Sequence, residues 1–280
     1  MEIGQLFTMP EFKNKQTKNN LLLSIHIHVN GFSFFTHEAT SKKASKIYHT
    51  TFPQGIAINK LHDALHTELK TNGIIGQSFK EVRCSVENNL ATLVPKSLFE
   101  EKALQEYVRH DIDIRENDFV TYDIVPSADW VTVYVPFVNV NNMLIDSFGS
   151  FSYYHSVSIW LSAISKHKET DGELSWSMYK SGDRIHIALL RDTKLQFYNC
   201  FDAPSAKDIA YYVLLTAKEN DISPNEVPLY LVGDVFAGDS TYKALYSFVR
   251  SLNILHPETS LIFPAPRINT HQDFCLLNLF

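Results

Sequence analysis

Cysteine is scarce: only Cys84, Cys200 and Cys275 occur among 280 residues, far apart and without a C-x-x-C pair. So sparse and odd a set excludes a disulfide framework and a thiolate zinc site, and it fits a reducing cytoplasm. Positive charge is not in excess: Lys+Arg total 25 against 31 Asp+Glu, a net charge of −6. An acidic chain is a poor phosphate-backbone binder, so no nucleic-acid partner is expected. No apolar run approaches the roughly 20 residues that cross a bilayer, so no membrane insertion is expected either. Met1–Asn20 lacks the apolar centre of a secretory signal and reads as a loose leader. The motifs G-x-S-x-G and G-x-G-x-x-G are missing. What the chain does have is 45% hydrophobic and 20% charged residues, enough for a real core. Its length admits one large domain or two modest ones.

Strand-like alternation opens the first half. Leu21–Val29 and Phe32–His37 flank Asn30-Gly31, the strongest short-range hairpin signal because both turn positions need positive φ. A third strand is expected over about Lys46–Phe52. A helix follows over about Ala57–Lys70, with Leu61, Leu65 and Leu69 on one face, and then a strand over Phe79–Val86. Ser97-Leu98-Phe99-Glu100 has capping-box spacing and predicts a helix carrying Leu104, Tyr107 and Val108 inward. Strands are expected over Phe119–Val125 and Trp130–Val138. A helix over Tyr154–Lys166 turns Val157, Trp160, Leu161 and Ile164 inward.

The second half repeats the plan. Leu174–Lys180, Arg184–Leu190 and Lys194–Cys200 make a three-strand meander. Its turns fall at Ser181-Gly182-Asp183 and Arg191-Asp192-Thr193. Ser205-Ala206-Lys207-Asp208 is a second capping box, and its helix buries Ile209, Tyr212, Val213 and Thr216. Pro228–Val232 is a short strand ended by Gly233. Ser240–Arg250 is a helix, and Leu261–Phe263 a last strand before Pro264.

Both halves therefore run strand, strand, strand, helix, strand. Three antiparallel strands, a crossover helix and a parallel strand form the ribonuclease-H-like unit. Two copies in one chain resemble the duplicated α/β fold of actin and the sugar kinases. The expected division is a leader over 1–20, a first half over 21–168 with an insertion at about 87–118, and a second half over 169–280. The likeness sharpens at Asn199-Cys200-Phe201, at Asp208 to Leu214, and at Pro228 to Gly233. These stretches resemble a bacterial domain-of-unknown-function family with an actin-like ATPase fold. Thr92 to Phe99 looks like that family's first-half signature. The cytoplasmic domains of pilus and type II secretion platform proteins are more distantly similar in layout, and most of those are scaffolds.

The resemblance implies where an ATP site would lie. In active members the first hairpin carries an Asp and a small turn that hold magnesium and phosphates. Here Ser24 to Gly31 contains no acidic residue. The second meander should carry a D-x-G pattern, and Arg184-Ile185-His186-Ile187-Ala188 lacks it. The adenosine loop usually has paired glycines, and here Gly233 stands beside Asp234. Magnesium needs carboxylates and phosphates need close backbone donors. No cofactor and no catalysis are therefore expected. The alternative, an ATPase or kinase binding ATP with magnesium, would draw on Gly233, Asp234 and Asp239, with Asp192 as a further carboxylate.

Other motifs have plainer readings. Gly233 to Ser240 imitates the phosphate-cradling G-x-x-x-x-G-K-[ST] loop, but Asp239 stands where the lysine belongs and reads instead as a helix N-cap. His62-Asp63-Ala64-Leu65-His66 imitates H-E-x-x-H, yet both histidines flank the leucine stripe on a solvated face. His26 and His28 share a strand face and are either a pH-sensitive or metal-binding pair or ordinary half-buried histidines. Tyr211 lies opposite Val213 on its helix and is expected to be exposed. The expectation is a cytoplasmic scaffold or binding module whose partner is a protein.

Overall fold

The computed structural model describes residues 5–8, 20–28, 30–52, 55–109, 119–125, 128–170, 174–266 and 269–280. The chain forms two compact units. The first comprises Met1–Ile159, Thr259–Arg267 and Leu279–Phe280, the second Trp160–Glu258 and Ile268–Asn278.

The elements of the first unit are β1 (Gln5–Thr8), β2 (Leu21–His28), β3 (Gly31–Glu38), β4 (Tyr48–Thr51), α1 (Ile58–Thr71), β5 (Glu81–Val86), β6 (Ala91–Pro95), α2 (Leu104–Val108), β7 (Thr121–Ile124), β8 (Trp130–Tyr134), α3 (Val138–Phe148) and β9 (Ser150–His155). Next comes α4 (Ser156–Ile164), within which the boundary between units falls. The second unit continues with β10 (Leu174–Ser181), β11 (Arg184–Arg191), β12 (Lys194–Asp202), α5 (Ala206–Glu219), β13 (Leu229–Gly233), α6 (Ser240–Tyr246), β14 (Leu252–Ile254) and α7 (Phe274–Leu277).

In the first unit the sheet order is β1-β9-β5-β2-β3-β4. β2, β3 and β4 pair antiparallel, and β5 lies parallel to both β2 and β9. The turn into β3 is tight: a Cβ on Gly31 would lie 2.1 Å from the Thr50 carbonyl oxygen, so only glycine fits. α1 supplies the crossover and buries Leu61, Leu65 and Leu69 against Leu23, Ile25 and Phe34 of the sheet. A separate three-stranded sheet, β6-β8-β7, carries its own core around Val108, Val131 and Val133. The second unit repeats the plan in a sheet ordered β12-β11-β10-β13-β14. Ile209 and Val213 of α5 pack there on Ile185, Ile187 and Leu231. Its capping box is present: Ser205 Oγ accepts the Asp208 N–H, and the Asp208 carboxylate accepts that of Ser205. Among the described residues no helix is long and apolar enough to cross a membrane.

Five expectations need correcting. The leader is not loose throughout, because Gln5–Thr8 adds an antiparallel strand to the otherwise open edge of β9. Residues 9–19 lie outside the described residues. Ser97 caps no helix: Lys96–Leu98 is a 3₁₀ turn, Phe99 and Glu100 are extended, and α2 starts only at Leu104. The Tyr107 hydroxyl accepts the Glu100 N–H at 2.8 Å and donates to the Leu98 carbonyl at 2.7 Å, replacing the box. The strand expected over Trp130–Val138 ends at Tyr134, and Val138 opens α3, which buries Val140, Met143 and Leu144 at helical spacing. Tyr154 lies within β9 instead of opening a helix, and α4 starts at Ser156. Leu261–Phe263 makes only an isolated bridge from Ile262 to Lys43, with Pro264 and Pro266 limiting extension. β14 takes the last-strand role.

Histidines are buried in both units. His37 stacks on Phe35 and meets Phe280 edge-on. His186 stacks on Tyr179 and bonds the Tyr198 hydroxyl at 3.0 Å. Burial, with lesser help from nearby cations, pushes each imidazole from 6.5 down to about 4. In the unfolded chain they protonate near their ordinary pKa, so the stability held by keeping them neutral is lost as pH falls from about 6.5 towards 4.

Two outcomes follow. Leu65→Ala should lower unfolding free energy by about 2–5 kcal/mol in urea titrations, whereas Tyr211→Ala, at a position 61% exposed, should change it by less than about 0.5 kcal/mol. His186→Gln should shrink the wild-type difference in stability between pH 7 and pH 5 by about 2 kcal/mol, read from urea midpoints at the two pH values.

Candidate functional site

Parallel strands end together, and the chain leaving them turns into loops and helix starts whose amides need partners. Ligands in open α/β sheets therefore gather outside the carboxyl ends of the strands. The first unit has such an edge at β2, β5 and β9, the second at β10, β13 and β14. Chemistry-bearing residues collect at both.

In the second unit Gly233 and Asp234 stand at the end of β13, and Asp239 lies five residues on. Gly233 has φ +84°, and a Cβ there would lie 2.1 Å from the Lys180 carbonyl oxygen and 2.8 Å from the Tyr179 ring. The close approach of β10 requires glycine. The Asp234 N–H donates to the Lys180 carbonyl at 2.8 Å. Its carboxylate reaches across to the β10–β11 turn and accepts the Gly182 N–H at 3.1 Å. Lys180 Nζ donates to the Gly182 carbonyl at 2.7 Å. The amide of this turn thus already has an anion on it. Asp239 is the N-cap of α6: one carboxylate oxygen accepts the Tyr242 N–H at 2.6 Å and the other that of Phe236 at 2.8 Å. Asp192 is not brought to this edge. It sits at positive φ in the β11–β12 turn, at the opposite end of β11 from Gly182.

In the first unit the edge is a buried polar cluster. His26 Nδ1 lies 2.9 Å from Ser85 Oγ, and its Nε2 is 3.9 Å from Glu87. A serine, a histidine and a carboxylate in sequence imitate a nucleophilic triad. Burial first, then His28 and His155, push the His26 imidazole from 6.5 down to about 3. So weak a base does not take a serine proton, and Ser85 is fully buried, out of reach of a substrate.

Beside it, Asp123 of β7 is also fully buried. Its carboxylate accepts the Tyr134 hydroxyl at 2.9 Å, the His155 N–H at 2.7 Å and the Ser158 hydroxyl at 2.7 Å. Ser158 Oγ is in turn 2.8 Å from Thr132 Oγ1. The last two donors to Asp123 sit where α4 begins, so the carboxylate faces a helix N-terminus. Even so, desolvation outweighs the three hydrogen bonds and pushes Asp123 from 3.8 up to about 7. The stability this proton adds is present at acid pH and is lost as pH rises through about 7. Sequence reasoning missed Asp123. In Thr121-Tyr122-Asp123-Ile124 the apolar Tyr122 and Ile124 alternate with Thr121 and Asp123, so the pattern puts Asp123 on the outward face and no sequence signal marks it as buried.

The H-D-x-x-H stretch lies elsewhere in the first unit. His62, Asp63 and His66 of α1 line an open cavity of about 650 Å³ with Asn142 and Asp146 of α3. The two histidines are half-buried beside the leucine stripe, as their spacing implies. Among the described residues no group of three or more His, Cys, Asp or Glu is placed to hold a metal ion.

The strand order and the repeated halves are those of an actin-like ATPase fold. The chain is similar to a protein of Bacteroides thetaiotaomicron VPI-5482 described as having an actin-like ATPase fold and unknown function. The TM-score is 0.76 at 19% identity, over 88% of this chain and 94% of that one. It is also similar to a PilM–PilN type IV pilus biogenesis complex, with a TM-score of 0.62 at 13% identity over 92% and 97%. A third likeness is to the cytoplasmic domain of EpsL, an inner membrane component of the type II secretion system of Vibrio cholerae, with a TM-score of 0.47 at 13% identity over 90% and 92%. No curated protein matches the sequence. The model of the family described as "Protein of unknown function (DUF3822)" matches residues 10–252, and the chain belongs to that family.

Proposed function

We propose that this chain is a non-catalytic, cytoplasmic binding module on an actin-like ATPase frame and that its partner is a protein. The observation that carries the reading is the Asp234–Gly182 hydrogen bond. A phosphate approaching this turn meets a carboxylate of its own charge sign, and the amide that would bind it is already engaged. The first hairpin supports the same reading: from Ser24 to Gly31 it offers histidines and no carboxylate for magnesium. The PilM–PilN type IV pilus biogenesis complex gives a precedent for this frame working through a protein partner. The net charge of −6 supports a partner other than nucleic acid. The competing reading, ATP hydrolysis with magnesium held by Asp234 or Asp239, draws on carboxylates that the fold already uses, Asp234 at Gly182 and Asp239 at the start of α6.

Thermal unfolding with and without millimolar Mg-ATP tests this. No upward shift in Tm is expected, with ADP and GTP equally without effect. A ligand at 100 times its Kd stabilises by about 2.7 kcal/mol, or several degrees for a chain of this size. Such a shift would replace the binding-module reading with the nucleotide one.

A further inference from the structure

The cavity of about 650 Å³ between α1 and α3 has the volume of a small-molecule site, and its lining selects by charge. Ten residues line it and none is Lys or Arg, whereas Asp63 of α1 and Asp146 of α3 each bring a carboxylate. An anion entering it meets repulsion and no cation. Asp63 has a neighbour in His62, whose Nε2 lies 3.4 Å away. Asp146 has none: among the described residues no side chain pairs with its carboxylate. Its place in the helix makes that unfavourable. It stands in the last turn of α3, where free carbonyls favour a cation and oppose a carboxylate, and no basic residue shares that turn. A charge set against its helix with no compensating contact in the chain is the mark of a functional position.

We propose that this cavity binds an aliphatic ammonium group, with Asp146 as its anchor and Asp63 as the second carboxylate. An ammonium has three donors and no acceptor, so it needs several acceptors close together. The two carboxylates and the amide oxygens of Asn139 and Asn142 are such a set. Ile75 and Met143 give the lining an apolar part, against which a methylene stem can lie while its charged head stays with the carboxylates. No Phe, Tyr or Trp lines the cavity. The aromatic cage that holds a quaternary ammonium, and the platform on which a base stacks, are therefore both missing. A bare metal ion fits less well, since among the described residues no group of three or more His, Cys, Asp or Glu is placed to hold one. The same chemistry comes from two sources, a free alkyl amine or the lysine side chain of a partner protein. The site stands whichever way the Asp234 turn behaves, because that turn belongs to the second unit.

Isothermal titration of the whole chain at about 0.15 M salt, which screens general attraction to an acidic protein, tests the proposal. The probes are 1,4-diaminobutane, a short lysine peptide with blocked ends, and choline. At least one of the first two should bind saturably at one per chain, and choline at least tenfold more weakly. The diamine alone binding identifies a free amine as the ligand, and the peptide binding more tightly identifies a partner's lysine. Asp146→Asn should weaken binding at least tenfold, while its Tm without ligand stays equal or rises slightly, because the carboxylate opposes the α3 dipole. Glu219→Gln, which removes an exposed carboxylate from α5, should leave binding unchanged. No saturable binding of diamine or peptide up to about 10 mM overturns the proposal. So does binding that Asp146→Asn leaves intact, or that Glu219→Gln weakens as much.

Discussion

β2 lies parallel to β5, and β10 to β13, and neither pairing can form unless the chain is carried from one end of the sheet to the other. Such a crossing takes a dozen or more residues and is usually helical. α1 and α5, fourteen residues each, are those crossings. Because each helix must lie on its sheet, each needs one apolar face, and the leucine stripe of α1 and the Ile209–Val213 face of α5 supply it. The same pairings decide where polar chemistry collects, since the strands deliver their last residues to one edge.

At both edges, the polar groups are mostly used by the fold itself. Asp123 holds the third strand of the small sheet to the start of α4 through Tyr134, His155 and Ser158. Asp234 holds the end of β13 to the β10–β11 turn. His26 rests on Ser85. That the polar groups at these edges bond within the fold is the physical content of the binding-module reading proposed above.

Much of the architecture was legible in the sequence, for identifiable reasons. The α1 stripe, the Ser205 capping box and the N-cap at Asp239 are local signals, and each operates as its spacing implies. Asn30-Gly31 signals the hairpin but not its turn positions, because Gly31 already pairs with His28 as the first residue of β3. Elements that depend on distant partners were not legible. β1 exists because β9 has an edge to offer, and β6 because β8 does. α3 hides in a run whose valines alternate with asparagines. Tyr107 does the work expected of Ser97 because the tertiary turn brings its hydroxyl to Glu100. Gly233, Asp234 and Asp239 lie close together in the chain, but only the structure shows the Gly182 amide that Asp234 engages. Asp123 escaped because a single carboxylate in a four-residue strand reads as a surface residue until its three donors are in view.

Amide hydrogen exchange at Gly182 tests the central claim most directly. With Asp234 on its N–H, Gly182 should exchange slowly in the wild type, faster in Asp234→Ala, and at a rate that Mg-ATP does not alter. Further slowing of Gly182 exchange by Mg-ATP in the wild type would mean that a nucleotide reaches this turn, and would contradict the account.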